Sequence, residues 1–227
     1  MTGTLFVVAT PIGNLEDITL RALRILTEVD VIFSEDTRVV KKLLDHYEIK
    51  KPLRSYNAHA SESRHAEALG LLRSGKNIAL VSDAGTPGIS DPGTMLVSRV
   101  REEVPDAPIV AIPGPSALTA ALSVSGIPSS EFVFLGFLPH KKGRETLFRE
   151  IAESAHPVVF FESVHRFMKT LDSLLQHCGS ERLAVVSREI TKVFEENRAG
   201  SLAEIQAHYT AHPETVRGEF VIIVSGR

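Results

Sequence analysis

An α/β architecture built on mainly parallel sheets is the fold class that the 227 residues predict, and three observations carry it. Short apolar runs rich in Val and Ile alternate with longer segments of helical period, which is the sequence form of strands joined by crossover helices. Some runs, such as Ile78-Ala79-Leu80-Val81, are apolar at every position, as in strands buried on both faces. The composition, 43% hydrophobic and 23% charged, is that of a globular chain and excludes disordered, collagen-like and coiled-coil classes. At about one and a half times a ~150-residue domain, the length suits one large domain or two small ones.

The elements follow in order. Residues 5–9 read as a strand; a cap at Asp17 then opens a helix that buries Ile18, Ala22, Leu23, Ile25 and Leu26. A strand at 29–34, helices at 39–47 and 64–74, and the apolar strand at 78–81 come next. Residues 93–104 read as helix, 109–112 as strand, and 116–125 as a helix of small residues suited to close packing. With 126–130 as a linker, the expected domains are 1–125 and 126–227. The second opens with a strand at 132–137, a helix at 144–153, a strand at 158–161 and a helix at 167–178. Strand candidates at 183–187, 193–199 and 219–225 surround one helix at 202–208, which predicts a mixed sheet.

Charge and cysteine content narrow the function classes. Lys plus Arg is 25 against 28 Asp plus Glu, so the net charge of -3 excludes a globally basic nucleic-acid coat but leaves room for a local basic patch. The single Cys178 supports neither an internal disulfide nor a redox pair, which fits a reducing cytosol. Residues 1–9 lack the pattern of a secretory leader, so a cytoplasmic protein is expected. The uncharged stretch 107–130 is interrupted by Pro108, Pro113, Gly114, Pro115, Gly126 and Pro128, so it reads as strand, turn and helix and no membrane association is expected.

Gly and Pro fall where strands end. The first strand runs into Thr10-Pro11-Ile12-Gly13-Asn14, the strand at 78–81 into Ser82-Asp83-Ala84-Gly85-Thr86-Pro87-Gly88, and the strand at 109–112 into Pro113-Gly114-Pro115-Ser116-Ala117. A parallel sheet puts the carboxyl ends of its strands along one edge, where open α/β sheets bind ligands, so the three bends are expected to converge. Without a Cβ, and with φ fixed by Pro, such bends let main-chain groups approach a ligand; each alone could equally be a tight turn. Neither G-x-G-x-x-G after the first strand nor G-x-x-x-x-G-K-[ST] occurs, so a ligand held by its phosphates loses its usual support. Ser34-Glu35-Asp36-Thr37-Arg38 brings acidic groups to the same edge, with Asp83 and Asp91 nearby, which suits a cationic or hydroxyl-rich ligand. The plainer alternatives are a helix cap for Asp36 and turn roles for the other two.

Val8 to Leu15 (VATPIGNL), Ser34 to Arg38 (SEDTR), Val81 to Gly93 (VSDAGTPGISDPG), Ile112 to Ala117 (IPGPSA) and Arg188 to Lys192 (REITK) resemble the ribosomal small subunit methyltransferase I family, a branch of the tetrapyrrole methylase superfamily. The resemblance runs from residue 5 to about residue 226. It implies two α/β domains with a cleft for S-adenosylmethionine between them (a class III methyltransferase), usually as a homodimer, methylating the ribose 2′-hydroxyl of cytidine 1402 in 16S rRNA within the 30S subunit. Two departures stand out: Val164 occupies a position where related sequences often have Pro, and the chain stops soon after Gly218-Glu219 without the extension of longer relatives. Carried over by position, the implied cofactor contacts are Pro11, Ala84, Gly85, Thr86, Ile89, Ser116 and Ala117, with Phe161, Glu162 and Ile190 from the second domain.

A ribose hydroxyl is barely ionised at neutral pH, so a positioned base or an alkoxide-stabilising cation should assist. The candidates are Asp36, Asp83, Glu189 and Lys192, with Arg38, Arg166 and Arg188 as phosphate or alkoxide partners. Lys141, Lys142 and Arg144, with Arg149, are candidates for the rRNA backbone or for a solvated helix start. His59 and His65 lie six apart, so a helix would not converge their rings and no metal site is expected; His165 reads either as facing the cleft or as capping the next helix. Two other function classes stay open: a small-molecule methyltransferase of the tetrapyrrole type, and a non-catalytic RNA-binding module. Gly85-Thr86-Pro87, where tetrapyrrole methylases have Gly-Asp-Pro, favours the rRNA branch.

Overall fold

The computed structural model describes residues 1–57, 61–90 and 93–227. His59 and Asp91, both considered above, lie outside them. The chain forms two compact units, Met1–Ser116 and Ala117–Arg227.

In the first unit, strands β1 (Leu5–Val8), β2 (Val31–Ser34), β3 (Leu53–Ser55), β4 (Ile78–Val81) and β5 (Ile109–Ile112) make a parallel sheet of order β3-β2-β4-β1-β5. Alternation along the strands sends Ile32, Ala79 and Val81 to one face and Val31, Phe33, Ile78 and Leu80 to the other. Helices α1 (Leu20–Glu28) and α2 (Thr37–His46) cover the first face with Ala22, Ile25, Leu26, Val40 and Leu43. Helices α3 (Glu62–Arg73) and α4 (Thr94–Glu103) cover the second with Ala68, Leu69, Leu72, Leu96 and Val100. Each Val, Leu, Ile or Phe side chain among them contributes about 1.5–3 kcal/mol on full burial, which is why β2 and β4 carry no polar residue before their ends.

The start of α1 differs from the expected Asp17 cap. Asn14 caps a short 3-10 turn, Leu15–Asp17, and Ile18 is extended, so the helix begins beyond it with the Thr19 side chain accepting from the Ala22 N–H at 3.0 Å. The edge strand β3 has no counterpart in the sequence reading: three residues, Leu-Arg-Ser, carry no period.

The second unit comprises α5 (Ala117–Ser125), β6 (Val133–Phe137), α6 (Arg144–Glu153), β7 (Val158–Ser163), α7 (Phe167–Cys178), β8 (Leu183–Arg188), β9 (Glu196–Ser201), α8 (Leu202–Ala211) and β10 (Glu219–Val224). Its sheet, β6-β7-β10-β8-β9, is mixed: β6 and β7 are parallel and the other neighbours antiparallel. One face packs on α6, α7 and α8 through Phe148, Ile151, Phe167, Leu171, Ile205 and Tyr209. On the other, Val159, Val185, Val221 and Ile223 pack against Ala121 of α5. The small-residue helix therefore belongs with the second sheet, whose apolar face it covers, and the units divide at 116/117 rather than at the expected 125/126. Strand β9 also lies later than its apolar pattern suggested. Val193 and Phe194, 93% and 71% exposed, sit in the preceding turn, while the polar run 196–201 pairs with β8.

Candidate active site

The bends after β1, β4 and β5 meet, because β1 lies between β4 and β5 in the sheet. Thr10 and Gly85 form an isolated bridge: the Thr10 N–H donates to the Gly85 carbonyl at 2.9 Å and the Gly85 N–H to the Thr10 carbonyl at 3.0 Å. The Thr10 hydroxyl donates to the Ser82 carbonyl at 3.2 Å, and the Ser82 hydroxyl reaches the Ala84 and Gly85 carbonyls at the same distance. The third bend joins through the Thr86 hydroxyl, which donates to the Pro115 carbonyl at 3.4 Å.

Gly is required here at two places. Gly85 sits at φ +81°, and a Cβ there would meet Ile12 Cγ2 at 3.4 Å; a Cβ on Gly114 would come within 3.0 Å of the Ala9 Cβ. Of the residues carried over as cofactor contacts, Pro11 and Gly85 are buried, Thr86 and Ser116 half-buried, and Ala84 and Ile89 exposed. Such a surface of main chain, small residues and two hydroxyls fits an adenosyl sulfonium, which needs apolar walls and few polar partners.

Beside these bends, a polar depression of about 570 Å³ is lined by Glu35, Asp36, Thr37, Arg38, Ser55, Asn57 and Asp83. Asp83 joins the two features, since its Oδ1 accepts the Asp36 N–H at 2.9 Å. Asp36 caps α2 by accepting from the Arg38 N–H at 2.8 Å, and its carboxylate also takes the Arg38 guanidinium at 2.6–3.1 Å. The Arg38 side chain and main-chain donors hold the Asp36 carboxyl down to about 2. A carboxyl depressed on folding stabilises the fold above its unfolded pKa of about 3.9, and this contribution is lost as pH falls through 2. Carbon-13 titration of Asp36 is therefore expected to give a midpoint near 2; a midpoint near 3.9 would show that the Arg38 clamp does not hold in solution.

The second unit places its candidates in two groups. At the end of β8, Glu189 and Thr191 both have positive φ, +49° and +69°, strained values for side-chain-bearing residues and especially for β-branched Thr. Lys192 Nζ donates to Glu189 Oε1 and Glu219 Oε2, each at 2.8 Å, and the Glu219 N–H reaches Glu189 Oε1 at 3.2 Å. Gly218 sits at φ +80°, and a Cβ there would lie 2.2 Å from Glu189 Oε1, so a side chain at this position would be strained and would push the Glu189 carboxylate out of its place. Burial pulls the Lys192 ammonium down, but hydrogen bonds to Glu189 and Glu219 outweigh it and the net shift is upward. Glu189 moves the other way: burial would raise it, and Lys192 with the Glu219 N–H lowers it overall. Ile190 packs on the face covered by α5, while the Ser187 and Thr191 hydroxyls are buried without a hydrogen-bond partner among the described residues.

The other group centres on Glu162, a fully buried carboxylate that takes Arg144 Nη2 at 3.0 Å, Arg166 Nη2 at 2.8 Å and the Thr170 hydroxyl at 2.7 Å. Arg144 and Arg166 are thus placed differently from the sequence expectation of rRNA contacts: their guanidiniums serve the interior, and the Glu162 side chain points away from the face that holds Phe161. Arg188 is likewise buried, with its Nε on Glu196 at 3.1 Å. Lys141, Lys142 and Arg38 remain exposed. His65 is buried with Nδ1 at 2.8 Å from the Tyr56 hydroxyl, and His165 is exposed. No group of three metal-ligating side chains occurs among the described residues, and no described helix is long and apolar enough to cross a membrane.

Sequence reasoning named Gly114 within its bend but missed Ser55, Asn57 and the roles of Gly218 and Glu219. Gly218 left a signal as a glycine bordering a strand; Ser55 and Glu219 become neighbours of the site through strand pairing.

Comparison with known proteins places this architecture. The model of the tetrapyrrole (corrin/porphyrin) methylases matches residues 4–206. Among solved structures, the methyltransferase CobJ superposes with a TM-score of 0.71 at 21% identity, covering 99% of this chain and 95% of CobJ. A uroporphyrin-III C-methyltransferase from Thermus thermophilus, complexed with S-adenosyl homocysteine, gives 0.61 at 20%, covering 98% and 97%. At these identities the likeness is one of fold. Nearer in sequence is a Thermotoga maritima protein named ribosomal RNA small subunit methyltransferase I, 47% identical over 225 residues and covering 99% of both chains. The chain belongs to the tetrapyrrole methylase family and, within it, to the ribosomal RNA small subunit methyltransferase I group.

Proposed function

We propose that this chain transfers a methyl group from S-adenosylmethionine to the ribose 2′-hydroxyl of cytidine 1402 in 16S rRNA, acting in the cytoplasm on the 30S subunit as a homodimer. The observation that carries the methyltransferase reading is the joining of three bends through Thr10, Gly85 and Pro115; the relative named for ribosomal RNA supports the choice of substrate. S-adenosylmethionine supplies, when bound, an electrophilic methyl on a sulfonium. Main-chain groups of Ala84, Gly85 and Thr86, with Pro11, Ile89 and Ser116, would hold it. The chain's main work is orientation, since an in-line displacement needs the ribose oxygen roughly 3 Å from the methyl carbon.

The candidate bases separate on electrostatic grounds. Asp36, held near 2 by Arg38, is a poor proton acceptor, and Lys192, kept protonated by two carboxylates, has no lone pair to offer. Glu189 is committed to Lys192. Asp83 is the base in this account: Oδ1 takes one N–H, and Oδ2 makes no hydrogen bond among the described residues. Transfer from methyl-labelled S-adenosylmethionine to 30S subunits is expected for the native chain, and Asp83→Asn is expected to lower turnover about 10²- to 10⁴-fold with donor affinity retained. Undiminished turnover in Asp83→Asn would assign the proton elsewhere, and no transfer by the native chain would end the functional reading.

A further inference from the structure

Strand β6 carries a bulge. Val133 and Phe134 pair with Val158 and Val159 of β7, but Phe137 pairs with Phe161, so one extra residue is inserted between them. Gly136 absorbs it at φ +61°. In a regular strand residues 134 and 137 would face opposite sides; the insertion turns both rings toward Phe161, with centroids 5.1 and 5.4 Å from it. The last ring of this series, Phe137, stays 56% exposed.

The segment that follows is pinned from within. Arg166 Nη1 donates to the Leu138 carbonyl at 2.7 Å and Arg144 Nη1 to the Pro139 carbonyl at 3.1 Å, while Glu162 holds both guanidiniums. Immediately after these carbonyls, His140, Lys141 and Lys142 are exposed. Neither lysine is ion-paired among the described residues, and Glu145 close by in sequence pairs with His177 instead.

We propose that Phe137, Lys141 and Lys142 form a platform for single-stranded rRNA, the ring stacking on a base and the ammonium groups meeting backbone phosphates. The inference rests on the rRNA reading above and says how that substrate is held. Sequence-specific proteins reach RNA mostly at unpaired nucleotides, whose bases stack on aromatic rings. A chain with a net charge of -3 needs local, unpaired cations to attract a polyanion. Charge also argues against a second copy of the chain as the occupant: a two-fold contact centred on Phe137 would bring its own lysines together.

Fluorescence anisotropy with a short single-stranded RNA carrying the target cytidine, over a salt series, tests this. Phe137→Ala is expected to weaken RNA binding about tenfold or more, with Phe137→Trp restoring it. The double variant Lys141→Ala, Lys142→Ala is expected to lower the slope of log K against log salt by about 1.4. Calorimetry with S-adenosylmethionine should give the native affinity in both, and sedimentation the native oligomeric state. Native RNA affinity in Phe137→Ala, while the native chain still methylates 16S rRNA, would overturn the platform and leave the function standing. Loss of donor affinity or a changed oligomeric state in place of an RNA defect would reassign the ring to the cofactor or to a subunit contact. Failure of the native chain to methylate 16S rRNA would overturn both readings together.

Discussion

Gly85→Val is expected to weaken S-adenosylmethionine binding about a hundredfold, measured by titration calorimetry. At φ +81° a β-branched side chain is strongly disfavoured, at a cost of about 1–3 kcal/mol. Relaxing φ would break the pair of main-chain hydrogen bonds between Gly85 and Thr10, each contributing about 0.5–1.5 kcal/mol. Whichever way the bend yields, its binding-competent form is disfavoured by up to about 3 kcal/mol, which corresponds to about a hundredfold in affinity. Gly85→Ala, strained but not β-branched, should fall between the native chain and Gly85→Val. Because the bridge ties the bend after β1 to the bend after β4, both lose their placement at once. Native affinity in Gly85→Val would mean that the cofactor is held elsewhere.

Glu162→Ala is expected to lower folding stability by about 3–5 kcal/mol, read from urea unfolding. The Glu162 side chain has no exposed surface, and those of Arg144 and Arg166 retain 13% and 16%. Its removal leaves two guanidiniums below the surface without a counter-charge, and the Thr170 hydroxyl loses an acceptor. Glu162→Gln keeps one carbonyl acceptor and should lose less. A loss under about 1 kcal/mol in Glu162→Ala would show that water or the neighbouring carbonyls satisfy both arginines without it.

The meeting of the three bends was legible because a parallel sheet leaves little choice: apolar runs such as Ile78–Val81 declare buried strands, and the carboxyl ends of such strands share an edge. The Asp36 cap was legible as one of two alternatives, and it coexists with a place in the polar depression. Helix α5 misled because its Ala, Leu and Val residues give no sign of which sheet it covers. Strands β3 and β9 were hidden because edge pairing does not require an apolar pattern. Arg144 and Arg166 read as surface cations from local sequence. Only the register of β7, which turns Glu162 inward after Val158 and Phe160, reveals that a buried carboxylate binds them. The bulge at Gly136 left a trace in Phe134-Leu135-Gly136-Phe137, where a strand glycine marks a change of facing.

In the proposed reaction one ribose oxygen receives the methyl group. Nuclease digestion and mass spectrometry of 16S rRNA from 30S subunits treated with the protein and labelled S-adenosylmethionine address it directly. Label is expected in 2′-O-methylcytidine at position 1402 and nowhere else, absent when that nucleotide is 2′-deoxy. Label on a base, or label that survives the deoxy substitution, would contradict it.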